Sequence, residues 1–339
     1  LVFSVNFFPT VSDVCNIFHI PYAGWTVDSP VMELYSRSVT NDCNYLFLFD
    51  RCQYEEIAPL HPGHVFYLPL ATDPAYMQSG IQNSSSRRFA SDVSFVGSLY
   101  TEKCPYDRLT GLPDLIAGFL DGIMAAQLKI YGYYFIEELL TDDVIQAVKA
   151  HLPGYYSPLD APHLTDRTIV SQLYIGNKIS ALERVALMRQ LAPCLSDAGY
   201  SLDIYTGSDT SDIPKLHNRG FAKTLTEMPL IFARSTINLN MTSKPIRSGI
   251  PLRIWDILGC GGFVVTNYQP ELPEYFIPAE TLEIYESAQE LRDKCLYYLE
   301  HPKLAREIAE NGLALVKEQH TWVHRLETLL SAVFRPHQA

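Results

Sequence analysis

Short, mostly apolar runs recur along this chain and are separated by segments with helical periodicity. In the first half the runs are Leu1–Phe7, Ile20–Trp25, Tyr45–Phe49 and His64–Leu68. Runs that are apolar on both faces are typical of parallel strands that carry helices on either side. The stretch from Val11 to Phe18 supplies helical periodicity between the first two runs. The sequence therefore predicts an α/β fold built on a parallel sheet.

The same alternation returns in the second half, after a change in composition. The polar segment Gln78–Arg88 has few large apolar residues and predicts an interdomain linker. Strands are predicted at Val93–Gly97, Leu202–Thr206, Thr236–Asn240 and Gly262–Thr266, and helices at Met228–Ala233 and Pro251–Leu258. A mainly helical insertion is predicted at about 105–192. We therefore expect an amino-terminal domain at 1–88 and a second domain at 89–339 that ends in helices.

Length and composition agree with two domains. The chain has 339 residues, and a hydrophobic content of 47% is enough for a sizeable core. The formal net charge of −12 disfavours nucleic acids as partners, because like charges repel. Seven widely spaced cysteines predict free thiols in a reducing compartment, which favours a cytoplasmic location. No apolar run is long enough for a transmembrane segment.

The segment Lys244–Gly262 combines the features of a phosphate-binding helix start. Pro251 suits the first position of a helix, and the Ser-Gly pair before it lets backbone amides converge. Arg247 and Arg253 add positive charge beside those amides, which suits a diphosphate. Asp256 follows within the helix, where a carboxylate can accept hydrogen bonds from ribose hydroxyls. A helix with solvated arginines and a surface aspartate explains the same pattern, so both interpretations stay open.

The glycine cluster Gly259-Cys260-Gly261-Gly262 joins the end of this helix to a strand. It predicts a left-handed helix C-cap with tight helix-to-strand packing. The cluster has neither the spacing of a P-loop nor that of a dinucleotide-binding fingerprint. The histidines show no metal-ligand spacing, and we expect no metal site.

Residues at the strand ends of the first half are candidates for an acceptor site. Trp25 ends an apolar strand and Asp28 follows it, at the sheet edge where open α/β folds bind ligands. Asp28 can act as a general base on an attacking hydroxyl, and Trp25 can stack on a sugar. A local cap explains Asp28 as well. Asp50-Arg51 predicts a self-satisfied ion pair, and His320-Thr321 predicts either a helix cap or a helix that returns to the cleft.

Longer motifs resemble a known family. Ser248–Leu272, Tyr285–Ser287, Tyr297–His301, Ile308–Gly312 and His320–Thr321 with Arg325 strongly resemble the spore maturation CgeB-like glycosyltransferases. Ile20–Pro30, Phe47–Arg51, Leu68–Ala71 and Phe95–Tyr100 resemble the amino-terminal domain that accompanies this family. The resemblance covers almost the whole chain.

The resemblance implies a GT-B-like architecture, in which two Rossmann-like parallel-sheet domains face a cleft. The second domain would hold a nucleoside diphosphate sugar, with a UDP-sugar favoured, and the first a glycan or protein acceptor, without an obligatory metal. We assign Asp28 and Arg253 as catalytic residues, and Trp25 and Asp28 to the acceptor side. The expected donor-binding residues are Gly97, Thr206, Arg247, Ser248, Gly249, Ile250, Pro251, Leu252, Arg253 and Asp256.

The chain departs from the family pattern in two respects. Related retaining enzymes carry a Glu, seven residues and a second Glu around the donor helix; the second falls on Asp256, but the first falls on Ser248. The βαβ portion that usually precedes the equivalent of Leu1 is not in this sequence, so the first domain is expected to be truncated at its N-terminus.

These features together predict a glycosyltransferase of the hexosyl or N-acetylhexosaminyl type. It would move a sugar from a nucleoside diphosphate to a hydroxyl group. A noncatalytic two-domain protein that binds sugars or nucleotides would have the same cleft and is the alternative. A nucleotide-sugar epimerase is opposed by the missing dinucleotide-binding fingerprint.

Overall fold

The computed structural model describes residues 1–82, 88–102 and 104–334. The strands are β1 (Val2–Val5), β2 (Tyr22–Trp25), β3 (Asn44–Leu48), β4 (Val65–Tyr67), β5 (Ser91–Val96), β6 (Leu202–Tyr205), β7 (Leu216–Asn218), β8 (Ser235–Asn240), β9 (Val264–Asn267) and β10 (Glu283–Tyr285). The helices of the first half and the insertion are α1 (Pro9–Ile17), α2 (Arg51–Ile57), α3 (Pro74–Gln82), α4 (Asp114–Gln127), α5 (Ile136–Leu139), α6 (Asp142–His151) and α7 (Asp166–Thr168). The later helices are α8 (Asn177–Asp197), α9 (Met228–Arg234), α10 (Leu252–Gly259), α11 (Leu272–Tyr275), α12 (Ala288–Glu300), α13 (Pro302–Gln319) and α14 (Trp322–Phe334).

The strands form two parallel sheets. The first has the order β1-β2-β3-β4, and the second has the order β10-β9-β8-β5-β6-β7. In the second sheet the chain starts at the central strand β5, builds outward to β7 and then returns to β8. This is the doubly wound order, which binds ligands at the carboxyl ends of the two strands where the direction reverses. The predicted α/β class with two parallel sheets is confirmed.

The segment between β5 and β6 is mainly helical and has a core of its own. Its core includes Leu120, Ile136, Val148 and Tyr174. A π-helical segment, Ile169–Gly176, runs directly into α8. The insertion reaches the cleft through this segment.

Helix α14 returns from the second half of the chain to the first sheet, where it packs against β3. Thr72 and Thr321 form a parallel bridge at the crossing: the Trp322 amide donates to the Thr72 carbonyl oxygen at 3.1 Å. The ring of Trp322 then meets that of Trp25 edge-on, with centroids 5.1 Å apart. The division near residue 90 assigns α14 to the second domain, yet this helix covers the first sheet.

The predicted linker is partly helical. Gln78 to Gln82 belong to α3, which packs against α9, α10 and α13. Residues 83–87 of the predicted linker lie outside the described residues. One apolar core runs across this junction and contains Phe47 of β3 and Trp255 of α10.

The glycine cluster after α10 is a helix C-cap, as predicted. Gly261 has φ +71°, and the amides of Gly261 and Gly262 donate to the carbonyls of Leu258 and Ile257, both at 2.9 Å. All seven cysteines are free thiols in the structure. No helix in the described ranges combines the length and the apolar character needed to cross a bilayer.

Candidate functional site

A cavity of about 210 Å³ lies between the two halves of the chain. Its lining comes from the loops after β2, β5 and β8, from the π-helical segment and from the start of α8: Val27, Asp28, Ser29, Pro30, Met32, Tyr100, Gln172, Leu173, Asn177, Ser243, Pro245 and Ile246. Because β5 and β8 flank the reversal point of the second sheet, the cavity opens at the edge where doubly wound sheets bind ligands.

Asp28 lies in this cavity, and its side chain is exposed. Its Oδ2 accepts a hydrogen bond from Nδ2 of Asn6 at 2.7 Å. Asn6 follows β1 with φ 65°, and its Oδ1 accepts from the Val27 amide at 2.9 Å. The carboxylate is therefore held by a neighbouring strand end and lines the cavity.

Trp25 does not reach the cleft. It is 2% exposed and belongs to the apolar core, and its Nε1 donates to the Leu68 carbonyl at 3.2 Å. The prediction that Trp25 stacks on a sugar is wrong, because α14 covers this face of β2 and places Trp322 against it.

The amides before α10 bind a carboxylate of the protein itself. Asp50, 1% exposed, accepts from the amides of Arg247, Ser248 and Gly249 at 3.0, 3.2 and 3.3 Å. It also accepts from the hydroxyl of Ser29 at 2.7 Å. The amides of Ser248 and Gly249 were expected to converge on a phosphate, and Asp50 occupies that position instead. The predicted pair Asp50-Arg51 is also wrong, since Arg51 pairs with Glu274 at 2.6 Å.

Further polar contacts join the two halves beside Asp50. The Ser248 hydroxyl donates to Asp50 and lies 2.7 Å from Oε1 of Glu271, whose Oε2 accepts from the Tyr67 hydroxyl at 2.6 Å. Burial raises the pKa of the Glu271 carboxyl. Arg247 forms an ion pair with Glu56 at 2.5 Å. The charge of Arg247 is thus already balanced by this pair.

The donor candidates Arg253 and Asp256 share one face of α10. Nη1 of Arg253 lies 4.0 Å from Oδ2 of Asp256, and its guanidinium lies 5.4 Å from the centroid of the Phe232 ring. Burial lowers the pKa of Arg253 and raises the pKa of Asp256 to about 6. Pro251 is the N-cap residue, so the first-turn amides of Leu252 and Arg253 have no acceptor within the helix.

Arg184 of α8 is a candidate that the sequence analysis missed. It is 8% exposed, donates to the Ser98 carbonyl at 2.6 Å, and lies 4.5 Å from the centroid of the Tyr100 ring. Within the described ranges its Nε has no hydrogen-bond partner, and no carboxylate lies within 4.0 Å of its guanidinium. The positive charge of Arg184 further lowers the pKa of Arg253. The two arginines thus carry more positive charge than Asp256, the carboxylate beside Arg253, balances, and such an excess favours an anionic ligand.

One pattern in the sequence indicates that Arg184 is buried. It lies in line with the apolar stripe Leu187, Leu191 and Leu195 of α8, which packs on the second sheet. An arginine on the buried face of a helix requires a partner, because a buried charge without one is costly.

Of the remaining predicted donor residues, Gly97 lies beside Arg184, whereas the side chains of Thr206 and Ile250 are buried elsewhere. A Cβ added to Gly97 would be 3.9 Å from Nη1 of Arg184. The Thr206 hydroxyl, by contrast, donates to the Ser208 hydroxyl at 3.1 Å and is buried in its own loop. Ile250 is 1% exposed and its side chain is part of the apolar core, whereas Leu252 is half-buried.

Part of the chain is similar in sequence to a known protein family. Residues 188–331 match the sequence model of a family described as glycosyl transferase-like. This range contains β6 to β10 and the helix that bears Arg253 and Asp256. No curated protein sequence matches the chain significantly.

Solved structures are similar over nearly the full chain. The UDP-forming α,α-trehalose-phosphate synthase of Burkholderia xenovorans has 10% identity and a TM-score of 0.54, covering 99% of this chain and 74% of its own. Anabaena HepE in complex with UDP and glucose has 10% identity and a TM-score of 0.54, covering 96% and 76%. TarM of S. aureus has 11% identity and a TM-score of 0.49, covering 93% of this chain, which spans 50% of the length of TarM. The first two likenesses show the fold, which is the GT-B-like arrangement predicted from the sequence.

Proposed function

We propose that this protein transfers a sugar from a nucleoside diphosphate to a hydroxyl group of a glycan or protein acceptor. The observation that carries the proposal is the pair Arg184 and Arg253 at the reversal point of the doubly wound sheet. Arg184 is buried and Arg253 is half-buried, and among the described residues the one carboxylate within 4.0 Å of either guanidinium is that of Asp256, beside Arg253. A diphosphate supplies the missing negative charge.

The roles of the residues follow from their positions. Arg184 and Arg253 stabilise the charge that develops on the departing diphosphate, and the first-turn amides of α10 add to this. Asp256, on the same helix face as Arg253, accepts hydrogen bonds from the ribose hydroxyls. The donor of first choice for testing is a UDP-sugar, because the trehalose-phosphate synthase is described as UDP-forming and HepE was solved with UDP.

Asp28 acts on the opposite side of the cleft. Its carboxylate takes the proton of the acceptor hydroxyl while the acceptor oxygen bonds to the anomeric carbon. The bond between that carbon and the diphosphate oxygen breaks, and the nucleoside diphosphate leaves with the electron pair. The bond between Asn6 and Asp28 orients the carboxylate towards the cavity.

A donor panel with nucleotide release as the readout tests the proposal. UDP-, GDP- and dTDP-sugars are incubated with the protein, with and without acceptors. A transferase releases nucleotide slowly even without an acceptor, whereas a binding protein returns each donor unchanged, which would overturn the proposal.

Arg253→Ala tests the role of the phosphate-binding pair. Removing one donor aimed at developing charge costs about 3 kcal/mol, so we expect turnover to fall by about 100-fold or more. Arg306→Ala, on the exposed surface of α13, is the matched control and should keep full turnover. Unchanged turnover in Arg253→Ala would contradict the assignment of the diphosphate.

A further inference from the structure

The π-helical segment Ile169–Gly176 forms one wall of the cavity that contains Asp28. Hydrogen bonds from i to i+5 bring residues five positions apart to the same face of such a segment. Gln172 in this segment and Asn177, the residue that directly follows it, are five apart, and both line the cavity. In an α-helix, with 3.6 residues per turn, these two side chains would point in different directions. π-Helical turns are rare and occur frequently at functional sites.

This wall is fixed to the loop after β8 by close contacts. A Cβ added to Gly176 would lie 2.9 Å from Cγ of Pro245, so only glycine permits this approach. The Ser180 hydroxyl accepts from the Lys244 amide at 2.9 Å, and the Tyr134 hydroxyl donates to the Ser171 carbonyl at 2.6 Å. The position of Gln172 and Asn177 in the cavity is therefore determined by the fold.

The chemical character of the cavity is specific. Among its described lining residues the only charged side chain is Asp28, and the other polar ones are Ser29, Tyr100, Gln172, Asn177 and Ser243. The apolar lining includes two prolines, Pro30 and Pro245, whose flat faces suit the carbon face of a sugar ring.

The lysines next to the cavity are already paired, and Arg184, which lies against the ring of Tyr100, is assigned to the donor diphosphate. Lys178, next to Asn177, binds Asp107 at 2.5 Å, and Lys244, next to Ser243, binds Glu183 at 2.8 Å. The cavity thus offers hydroxyls, amides and one carboxylate, and its nearest lysines are neutralised. A phosphate or a second carboxylate placed beside Asp28 would meet like charge in a partly enclosed space, where such repulsion is strong.

We propose that this cavity is the acceptor subsite and that it selects an uncharged, hydroxyl-bearing group over a sugar phosphate or a uronic acid. The inference rests on the proposed function and adds the class of the acceptor. Gln172 and Asn177 are the positioning residues that hydrogen-bond the hydroxyls of the acceptor, while Asp28 takes the proton of the reacting one.

The test uses matched pairs of probes with the wild-type protein. Methyl glucoside, methyl galactoside and N-acetylglucosamine are compared with their 6-phosphates, and UDP release is measured over a concentration series. A probe that serves as an acceptor raises the rate of UDP release. A probe that binds without reacting lowers the rate of donor hydrolysis. The concentration dependence of either effect gives an apparent affinity. We expect at least about tenfold better kcat/KM or affinity for the neutral member of a pair. Equal or better use of the phosphates overturns the proposal, as does the absence of any effect by either member.

A charge introduced into the wall provides a second measurement. Asn177→Lys should reduce the preference for the neutral member at least about threefold, because it supplies the cation that a phosphate needs. Leu182→Lys, on the exposed side of α8, is the control and should leave the preference unchanged. An unchanged preference in folded Asn177→Lys contradicts the proposal.

A comparison of two donors tests whether the cavity is the acceptor subsite or the donor subsite. UDP-glucose and UDP-glucuronate are compared with one neutral acceptor. If the protein prefers UDP-glucose to UDP-glucuronate but uses neutral and charged acceptors equally well, the cavity holds the donor sugar. The acceptor assignment then fails, although the protein is still a transferase. If no donor is hydrolysed at all, the proposed function itself fails.

Discussion

Burial of the Asp256 carboxyl group acts against folding at neutral pH. The side chain is 16% exposed, and the nearest cation, Nη1 of Arg253, is 4.0 Å away. Burial raises the pKa of Asp256 from 3.8 to about 6. Because the folded protein binds this proton more tightly than the unfolded chain, the favourable contribution is complete below pH 3.8 and is lost as the pH rises through 6.

The size of the effect follows from the shift. About two pKa units, at 1.36 kcal/mol each, correspond to about 3 kcal/mol, of which about 2 kcal/mol falls between pH 4 and pH 7. Asp256→Asn removes the titrating group. The difference in unfolding free energy between the variant and the wild type should therefore move by about 2 kcal/mol in favour of the variant over this interval.

Urea unfolding at pH 4, 5, 6 and 7, followed by circular dichroism, measures this difference. Asp121→Asn, on an exposed position of α4, is the control and should follow the wild type throughout. A difference that stays constant with pH would refute the argument. Calorimetry with UDP completes the test: the variant should bind at least about tenfold more weakly, since it lacks the carboxylate that accepts from the ribose. Tighter binding would contradict that role.

Three other substitutions give separate expectations. Asp28→Asn should abolish transfer and keep UDP binding in calorimetry, and surviving transfer would exclude Asp28 as the base. Gly176→Ala should lower the transfer rate about tenfold or more, because the added Cβ would lie 2.9 Å from Pro245 and displace the cavity wall. The control Gly118→Ala has open space in α4 and should raise the unfolding free energy by about 0.5–1 kcal/mol. Asp50→Ala should lower the unfolding free energy in urea by about 3 kcal/mol or more, because the amides of Arg247, Ser248 and Gly249 lose their acceptor; equal stability would contradict this account.

The central strands could be predicted from the sequence because their burial on both faces leaves a local pattern. β3, β5 and β8 all lie within a residue or two of the predicted runs. The three-residue strands β7 and β10 were missed, since Leu216–Asn218 is half-exposed and polar and Glu283–Tyr285 is short. The helix after the Ser-Gly pair was predicted to within one residue, because Pro251 marks its start.

The contacts that decide the candidate site are long-range, and here local patterns fail. Trp25 looks like a cleft residue until Trp322, which lies at the far end of the sequence, covers it. Asp50 looks like the partner of Arg51, but its acceptor oxygens are used by amides almost two hundred residues later. Asp28 could be placed, because a strand end fixes its position and its partner Asn6 ends the neighbouring strand.

The crossing at Thr72 and Thr321 limits how the two halves can move. The chain passes between the sheets through Thr72 and the segment after it, and returns through Thr321, and these two passages are bonded side by side. Two adjacent passages define one axis of rotation. Rotation of the halves about this axis keeps the bridge but requires the bonds of Asp50 to the amides of Arg247, Ser248 and Gly249 to break, whereas sliding of one sheet along the other would stretch the bridge. Substrate entry and product release are therefore expected along the edge of the cleft opposite the bridge, where Asp28 and Arg253 move apart when the cleft opens.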